Sequence, residues 1–475
     1  MEFHVSLIGR KNLGREIYRQ LRRAIVDGQL RPGDRLPPSR ELARGLGVSR
    51  TTATVAYDRL AGEGFVTSRV GAGTFVSEHV VPPRGEAKRH QADGALKPRQ
   101  IWESIPLSTA FDRRAEFDFR TGLPDASLFP HETWRRLMAR ELRSEAVGSG
   151  VYGHPAGHRG LREAIVRHIG ISRGVLASAD DVTITSGTQQ AMDVIARVLL
   201  APGDRAAVED PGYGPPRRLL DSMGVRVEGV PVDREGLVVD ALPRNTRLVY
   251  VTPSHQYPLG VPMSLPRRLA LLTWAERNHA AIVEDDYDSE FRFQGRPIEP
   301  LQTLDATGRV IYVGSFSKTM LPTLRLGFVV TPPSLTAALH KAKFVTDWHT
   351  SMLVQATHAR FIDEGGFARH IRKTGGVYRA RREKVIKSLT QDFGGCLELI
   401  PSAAGLHIAA LATAASAGQM ADVARRALAA GVAVQELSKF GVHGPAPAGL
   451  VLGYGAIRTA SIEEGLRRLR GCFVG

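Results

Sequence analysis

What most narrows the folds open to this chain is an alternation along its middle, in which short apolar runs are followed by helical stretches. "DVTITSG", "RAAVEDPGYG", "RLVYVTPSHQYPLG", "AAIVEDDYD" and "RVIYVGSFSK" are strand-like and end in polar or glycine-bearing turns. Between them lie "QQAMDVIARVLL" and "RRLALLTWAERN", which have helical periodicity. Alternation of this kind builds an α/β fold around a mostly parallel sheet, covered by helices on both faces. From about Lys341 long helices mix with the strands "CLELI" and "HIAALA", which predicts a smaller C-terminal α/β part. At 475 residues the chain exceeds the usual single-domain size. The expected divisions are an N-terminal domain over 1–78, a linker over 79–114, and an α/β domain over 115–475 with a large part (about 115–340) and a small part (about 341–475).

The N-terminal stretch has a different pattern. Leu13, Ile17, Leu21 and Ile25 recur every fourth residue, one face of an amphipathic helix that Gly28 can stop. "RPGDRLPPSRELARGLGVSRTTATVAYDRLAGEG" predicts a short helix from about Ser39, a turn at Gly47 and a second helix capped by Ser49. "FVTSRVGAGTFV" predicts a hairpin with a glycine tip. Together these make a winged helix-turn-helix, whose second helix presents its N-terminal end to DNA. "SRTT" gives that end Arg50 and three hydroxyls, while Val55, Ala56 and Leu60 are expected to pack behind it. The charge agrees. The chain carries a formal +15, and residues 1–90 hold 16 Lys and Arg against 9 Asp and Glu, a several-fold higher density than the remainder. A basic balance of this kind favours a polyanion as partner. The proline-bearing, aperiodic "SEHVVPPRGEAKRHQADGALKPRQ" has the composition of a linker.

Two cysteines, Cys396 and Cys472, are too few for a disulfide framework or a zinc site. "MEFHVSLIGRKN" lacks the apolar core of a signal peptide and no apolar run approaches bilayer length, so the expectation is a cytoplasmic protein with no membrane partner.

In open α/β sheets, sites form beyond the carboxyl ends of the strands. Four such ends here carry chemistry, one of them "PSHQYPLG" after "RLVYVT". "SGTQQ" after "VTIT" offers helix N-terminal N–H groups and hydroxyls, either a phosphate cup or a plain N-cap. "EDDYD" clusters carboxylates, which suit a divalent metal, a solvated loop, or a protonated pyridine nitrogen whose ring is thereby a better electron sink. No further oxygen ligands at metal spacing accompany it. "SFSK" after "VIYVG" presents Lys318, with Arg325 seven residues on. A desolvated lysine beside a cationic ring is nucleophilic enough to join an aldehyde as a Schiff base. The parts describe a pyridoxal phosphate site.

Two resemblances follow from these motifs. Residues 12–77, through "LRPGDRLPPSRELARGLGVSRTT", "YDRLAGEGFV" and "GAGTFV", resemble the GntR-type winged-helix domain. That resemblance implies operator contacts from Arg40, Ser49, Arg50, Thr51, Thr52 and Gly71. Nearly the whole chain resembles the MocR/GabR-like subgroup of GntR regulators, which joins this winged helix to a fold-type-I aminotransferase-like domain. "FDFRTGLPDASLFP", "YGHPAGHRGLREAI", "ITSGTQQAMD", "EDPGYGPPR", "TPSHQYPLG", "EDDYDSEFRF" and "SFSKTMLPTLRLGF" carry it. It implies that Lys318 holds pyridoxal 5'-phosphate as a Schiff base, that Asp285 pairs the pyridine nitrogen, and that Tyr287 meets the ring 3-hydroxyl. Gly187, Thr188 and Gln189 would hold the phosphate with Ser315, Ser317 and Arg325, and Tyr213 would stack on the ring. Tyr152 would reach the phosphate of a neighbouring subunit in a homodimer.

The chain departs from the aminotransferase pattern at two places. Tyr257 precedes Pro258 where Asn-Pro is usual, with Leu259 in place of a small hydroxyl residue; His255 or Gln256 could compensate, and the Tyr257–Pro258 bond is a candidate cis peptide. Val451 occupies the position of the arginine that clamps a substrate carboxylate, with Arg458, Lys439 or Arg217 as substitutes. The reading expected is a transcription regulator that senses an amino compound, or the cofactor itself, and alters binding to a double-stranded operator. A true aminotransferase with an accessory N-terminal domain, and a DNA-binding protein with an inert large domain, are the alternatives.

Overall fold

Apolar spacing every three or four residues makes the first helices of the structure, a computed structural model that describes residues 12–69, 71–79, 96–107, 115–143, 150–295, 298–442 and 447–473. The chain divides into two units, Met1–Pro98 and Arg99–Gly475. In the first, α1 (Leu13–Val26) buries Ile17, Tyr18, Leu21, Ala24 and Ile25. These pack with Leu30, Leu36, Ala56, Tyr57, Leu60, Val66 and Val76 into one core. The short α2 (Ser39–Leu46) ends at Gly47, whose φ of 63° is left-handed and is easiest for a residue without a Cβ. Next, α3 (Arg50–Gly62) begins where the Ser49 hydroxyl accepts from the Thr52 N–H at 3.1 Å. Strands β1 (Val66–Arg69) and β2 (Gly73–Val76) pair antiparallel, Val66 opposite Val76 and Arg69 opposite Gly73, to make the wing.

The inner face of α3 differs from expectation at one residue. Ala56 and Leu60 are buried, but Val55 is 56% exposed. Ala53, Ala56, Tyr57 and Leu60 follow the i, i+3, i+4, i+7 rule and define the packed stripe, and Val55 lies off it.

In the second unit a short strand, β3 (Phe117–Asp118), leads into the fold. The central sheet comprises β4 (Val182–Thr185), β5 (Arg205–Asp210), β6 (Arg226–Asp233), β7 (Gly236–Leu237), β8 (Thr246–Val251), β9 (Ala281–Asp286), β10 (Val310–Ser315) and β11 (Gly327–Val330). Its order is β4-β11-β10-β9-β8-β5-β6-β7. The strands β6, β5, β8, β9 and β10 run parallel, while β11 is antiparallel to both its neighbours and β7 antiparallel to β6. Burial along β8, β9 and β10 is nearly continuous, as a sheet covered on both faces requires. The small part carries β12 (Leu397–Leu399), β13 (His407–Ala412), β14 (Val432–Ala433), β15 (Gln435–Glu436) and β16 (Gly449–Gly453). A four-stranded sheet, β12-β13-β16-β15, packs with the long helix Gly366–Asp392, and β14 pairs with β3.

Most of the expected linker, 80–95 and 108–114, lies outside the described residues. Within it, Ile101–Ser104 forms one helical turn, and Arg99 Nη2 donates to the Ser222 carbonyl at 3.2 Å. The Asp210–Pro211 and Tyr257–Pro258 bonds are cis.

Candidate functional site

Parallel strands put their carboxyl ends on one edge of the sheet, so β5, β8, β9 and β10 deliver their terminal residues to a common rim. The "EDDYD" segment closes β9 there, and its carboxylates have different partners. Glu284 accepts from the Leu301 and Gln302 N–H groups at 2.9 and 3.0 Å, with Arg268 3.8 Å away. Asp286 takes Arg173 Nε at 2.8 Å, the Tyr312 hydroxyl at 2.6 Å and the Ser289 hydroxyl at 2.9 Å. Asp288 faces His255 Nδ1 at 3.1 Å. Asp285 differs from the other three in having an oxygen that is fully buried and unpartnered among the described residues. Its Oδ2 accepts from the Tyr250 hydroxyl at 2.6 Å, while Oδ1 is buried with no hydrogen-bond partner among the described residues. Burial pushes its carboxyl up to about 7, against the pull of the Tyr250 bond and Lys318. A buried, unpartnered carboxylate oxygen with raised proton affinity suits a cationic N–H, which a pyridinium nitrogen supplies.

Lys318 follows β10 and its ammonium donates to the Gly122 carbonyl at 2.8 Å. Burial, helped by Arg325, pushes this amine below the usual lysine range, and Asp288 and Asp285 oppose that shift. Gly122 has a φ of 81°, and a Cβ there would stand 3.1 Å from the lysine nitrogen, so glycine keeps room for it. Ser315 Oγ donates to Ser317 Oγ at 3.0 Å and accepts the Ser317 N–H at 3.2 Å, which leaves the Ser317 hydroxyl proton available.

The helix Gly187–Leu199 opens at the same edge, after β4. Gly187 has a φ of 75°, and a Cβ on it would meet the Arg325 guanidinium at 3.2 Å. Arg325 Nη2 donates to the Ser186 carbonyl at 2.6 Å, so strand-end, helix start and arginine form one unit. The Ser186 N–H is taken by Gln190 Oε1 at 2.7 Å, and Gln190 is held by Asp347 at 2.7 Å. Unused first-turn N–H groups beside an arginine suit a phosphate, and Gly187, Thr188 and Gln189 supply them.

Tyr213, at the start of the helix Gly214–Ser222, has a phenol pushed up to about 12 by burial and by Asp285. Its ring meets Tyr257 edge-on at 5.5 Å. Tyr287 donates to the His255 carbonyl at 2.9 Å and lies 2.9 Å from His255 Nδ1. Tyr152 stands apart from this group. It is 74% exposed and stacks on Trp348 at 4.5 Å.

The two departures from the aminotransferase pattern meet in the fold. Leu259 and Val451 share one apolar cluster with Val261, Ala409 and Leu437. Among the described residues, the polar contacts of the candidate cations Lys439 and Arg217 lead to residues outside that cluster. Of the substitutes, Arg458 is exposed, Lys439 pairs with Glu436 at 2.7 Å, and Arg217 donates to the Val442 carbonyl at 3.2 Å. Gln256 is absorbed by its own turn: its amide donates to the Pro211 and Tyr257 carbonyls and its oxygen takes the Leu259 N–H. The Tyr257 hydroxyl meets Thr121 Oγ1 at 2.6 Å.

Sequence reading missed Tyr250, Arg173, the Gly122 carbonyl and the His255–Asp288 pair as parts of the site. Tyr250 sits in an unbroken apolar run, where no periodicity separates a core tyrosine from a site tyrosine.

In the first unit, Arg40 on α2 and Arg50 and Thr51 on α3 are exposed, and among the described residues neither arginine forms an ion pair. Ser49 and Thr52 are bound to each other through their hydroxyls at 2.7 Å as part of the cap. Gly71 lies in the wing turn with φ 77°.

Comparison with known proteins agrees with both units. Residues 13–76 match the gntR family of bacterial regulatory proteins, and residues 123–469 match aminotransferase class I and II. The probable rhizopine catabolism regulatory protein MocR of Rhizobium meliloti is 38% identical over 97% of this chain and 93% of its own. The pyridoxine biosynthesis transcriptional regulator PdxR of Corynebacterium glutamicum is 32% identical over 93% and 91%. Among solved structures, the α-aminoadipate aminotransferase LysN of Thermus thermophilus, complexed with N-(5'-phosphopyridoxyl)-L-leucine, is 30% identical with a TM-score of 0.71, over 78% of this chain and 96% of its own. The kynurenine aminotransferase of Pyrococcus horikoshii is 29% identical with a TM-score of 0.70, over 82% and 98%.

Proposed function

The chain belongs to the MocR-like subfamily of GntR transcription regulators, DNA-binding proteins whose larger half is an aminotransferase-type pyridoxal phosphate domain, and we propose that this member senses a small amine at Lys318 and changes its operator affinity in response. The observation that carries the reading is the unpartnered oxygen of Asp285 in a chain that also exposes Arg50 at a capped helix start. When bound, pyridoxal phosphate supplies an aldehyde that joins to amines and a cationic ring that withdraws electrons from them. The chain's residues then have separate tasks. Asp285 holds the ring N–H, Tyr213 covers a ring face, and Tyr287 meets the 3-oxygen. The Gly187–Gln189 amides, Ser315, Ser317 and Arg325 hold the phosphate. Lys318, kept below its usual range, is the amine that holds the aldehyde carbon and can accept a proton at Nζ.

Regulation is favoured over turnover of ordinary α-amino acids by the Leu259–Val451 cluster, where an apolar contact replaces the carboxylate clamp. A ligand that binds two conformations unequally shifts their populations, and coupling of this kind is worth about 1–3 kcal/mol. The protein works as a homodimer in the cytoplasm on this reading. Support comes from Val151, Tyr152, Phe344, Val345 and Trp348, large apolar side chains that are all exposed, as a Tyr152 that reaches a partner's phosphate would be. No helix among the described residues is long and apolar enough to cross a membrane.

Operator affinity should change by about 5- to 150-fold when a library of small amines is titrated into the cofactor-loaded protein and the correct one is met. Lys318→Ala should lose the visible absorption of lysine-bound cofactor and the amine response together, while DNA binding persists. An amine response that survives Lys318→Ala would refute sensing at this residue. On the DNA side, Arg50→Ala should weaken operator binding by about 1–3 kcal/mol without altering the cofactor spectrum. Equal affinity of the two proteins at the same salt concentration would remove Arg50 from the interface.

A further inference from the structure

One buried cluster beside Lys318 has no task in the account above. His255 and Asp288, each 2% exposed in its side chain, lie against Tyr287, Ser402 and His407. The proton inventory of His255 can be read from its neighbours. The Ser402 hydroxyl gives its one proton to the Ala404 carbonyl at 3.1 Å, so its oxygen accepts from His255 Nε2 at 3.0 Å. On the other side, Nδ1 faces both oxygens of Asp288 at 3.1 and 3.2 Å and the Tyr287 oxygen at 2.9 Å. Tyr287 has given its own proton to the His255 carbonyl at 2.9 Å, so its oxygen is also an acceptor. Both ring nitrogens therefore face oxygens within hydrogen-bond reach, and Nδ1 is shared between the Asp288 carboxylate and the Tyr287 phenol.

The surroundings fix that ring in place. Gly405, at φ 83°, packs so closely that a Cβ would fall 1.9 Å from His255 Cε1. His407, from β13, lies 4.7 Å away ring to ring and donates through Nε2 to the Pro258 carbonyl at 3.1 Å. Burial, then His255, push His407 well below the usual histidine range. Arg382, from the helix Gly366–Asp392, binds the Ser402 carbonyl. His255, Asp288 and His407 bring ligand atoms within 4.8 Å of one another, but the hydrogen bonds above already engage them.

We propose that the His255–Asp288 pair is a positioning device for Tyr287: it grips the phenol oxygen by Nδ1–H and leaves the phenol proton free to swing from the His255 carbonyl to the 3-oxygen of the cofactor. The proposal rests on the reading that Tyr287 meets that oxygen. It answers the loss of the usual asparagine, because the chain donates to the 3-oxygen through a phenol held by a buried histidine–carboxylate pair. Such a chain of hydrogen bonds strengthens its terminal donor. A donor on the 3-oxygen favours the form in which that oxygen is anionic, so weakening the donor raises the pH at which the cofactor's absorption changes.

The test is a spectral pH titration of the full-length, cofactor-loaded protein. Tyr287→Phe, His255→Gln and Asp288→Asn should each raise the midpoint by about one unit, a tenfold change in proton affinity. The His255→Gln, Tyr287→Phe double variant should move it no further than Tyr287→Phe alone. Asp288→Asn, which keeps the side-chain shape, carries the test if His255→Gln does not fold. If Tyr287→Phe moves the midpoint and neither His255→Gln nor Asp288→Asn does, the pair only packs and the proposal is overturned, even if cofactor affinity or melting temperature falls. If Tyr287→Phe also leaves it unmoved, the assignment of Tyr287 to the 3-oxygen falls and takes the proposal with it. The Lys318→Ala spectrum reports on amine sensing independently of either result.

Discussion

Asp285→Asn should weaken pyridoxal phosphate binding by about 10- to 100-fold and, in the same protein, raise the melting temperature of the cofactor-free form. The first effect is the loss of a charge-assisted bond to the ring N–H, worth about 1.5–3 kcal/mol. The second follows from what Asp285 lacks without the cofactor, since its Oδ1 is buried and unpartnered. An amide oxygen can still accept from Tyr250, which now spends 2.6 Å of approach on a carboxylate, but brings no charge into the core. The pH dependence has a definite sign. Burial raises the folded-state value to about 7, while the unfolded chain titrates in the ordinary carboxylate range near about 4. Between those values the folded state holds the extra proton, so Asp285 contributes stability at low pH that is lost as pH rises through about 7. The advantage of Asp285→Asn in the cofactor-free protein should therefore be larger at pH 8 than at pH 5.5. Glu209 and Glu284, also raised to about 7 by burial, keep part of the wild-type slope in the variant. Thermal melts of both proteins at the two pH values decide the matter, and a gap that does not widen with pH removes the unpaired carboxylate from the account.

How far the sequence could be read depends on the range over which its information acts. The capped start of α3 was legible because Ser49 and Thr52 are neighbours in the chain, and a cap is a local event. The exposure of Val55 was not, since one apolar residue beside a helical stripe satisfies composition without satisfying geometry. The strand ends were marked by a change from apolar residues to glycine, serine or acid, which located the rim. The choice among Glu284, Asp285, Asp286 and Asp288 was invisible there. Their partners, Arg268, Tyr250, Arg173 and His255, come from other strands and helices, and only folding shows which carboxylate is left over. Tyr257 and Val451 read as departures from an aminotransferase pattern, but that Leu259 packs in one cluster with Val451 is a fact of tertiary structure.

Arg173→Met should destabilise the larger unit by about 3–5 kcal/mol, the usual result of stranding one member of a buried ion pair. Arg173 ends the helix Arg159–Arg173 and reaches Asp286 through Nε at 2.8 Å and the Ser254 hydroxyl through Nη2 at 2.7 Å. Both charged side chains are nearly closed to solvent, 8% and 1% exposed. Burial opposes the charge on Arg173, yet Asp286 holds the guanidinium above its usual range, so the pair is mutually dependent. Methionine fills much of the space but leaves Asp286 with only the Tyr312 and Ser289 hydroxyls. Because Asp286 directly follows Asp285 at the end of β9, relaxation around the stranded charge should also disturb the ring N–H contact and lower cofactor affinity. Asp286→Asn in the Arg173→Met background removes the stranded charge and should recover at least half of the lost stability in urea unfolding. A double variant no more stable than Arg173→Met would mean that the arginine acts through packing, and that the acidic segment does not depend on it to hold Asp285 in place.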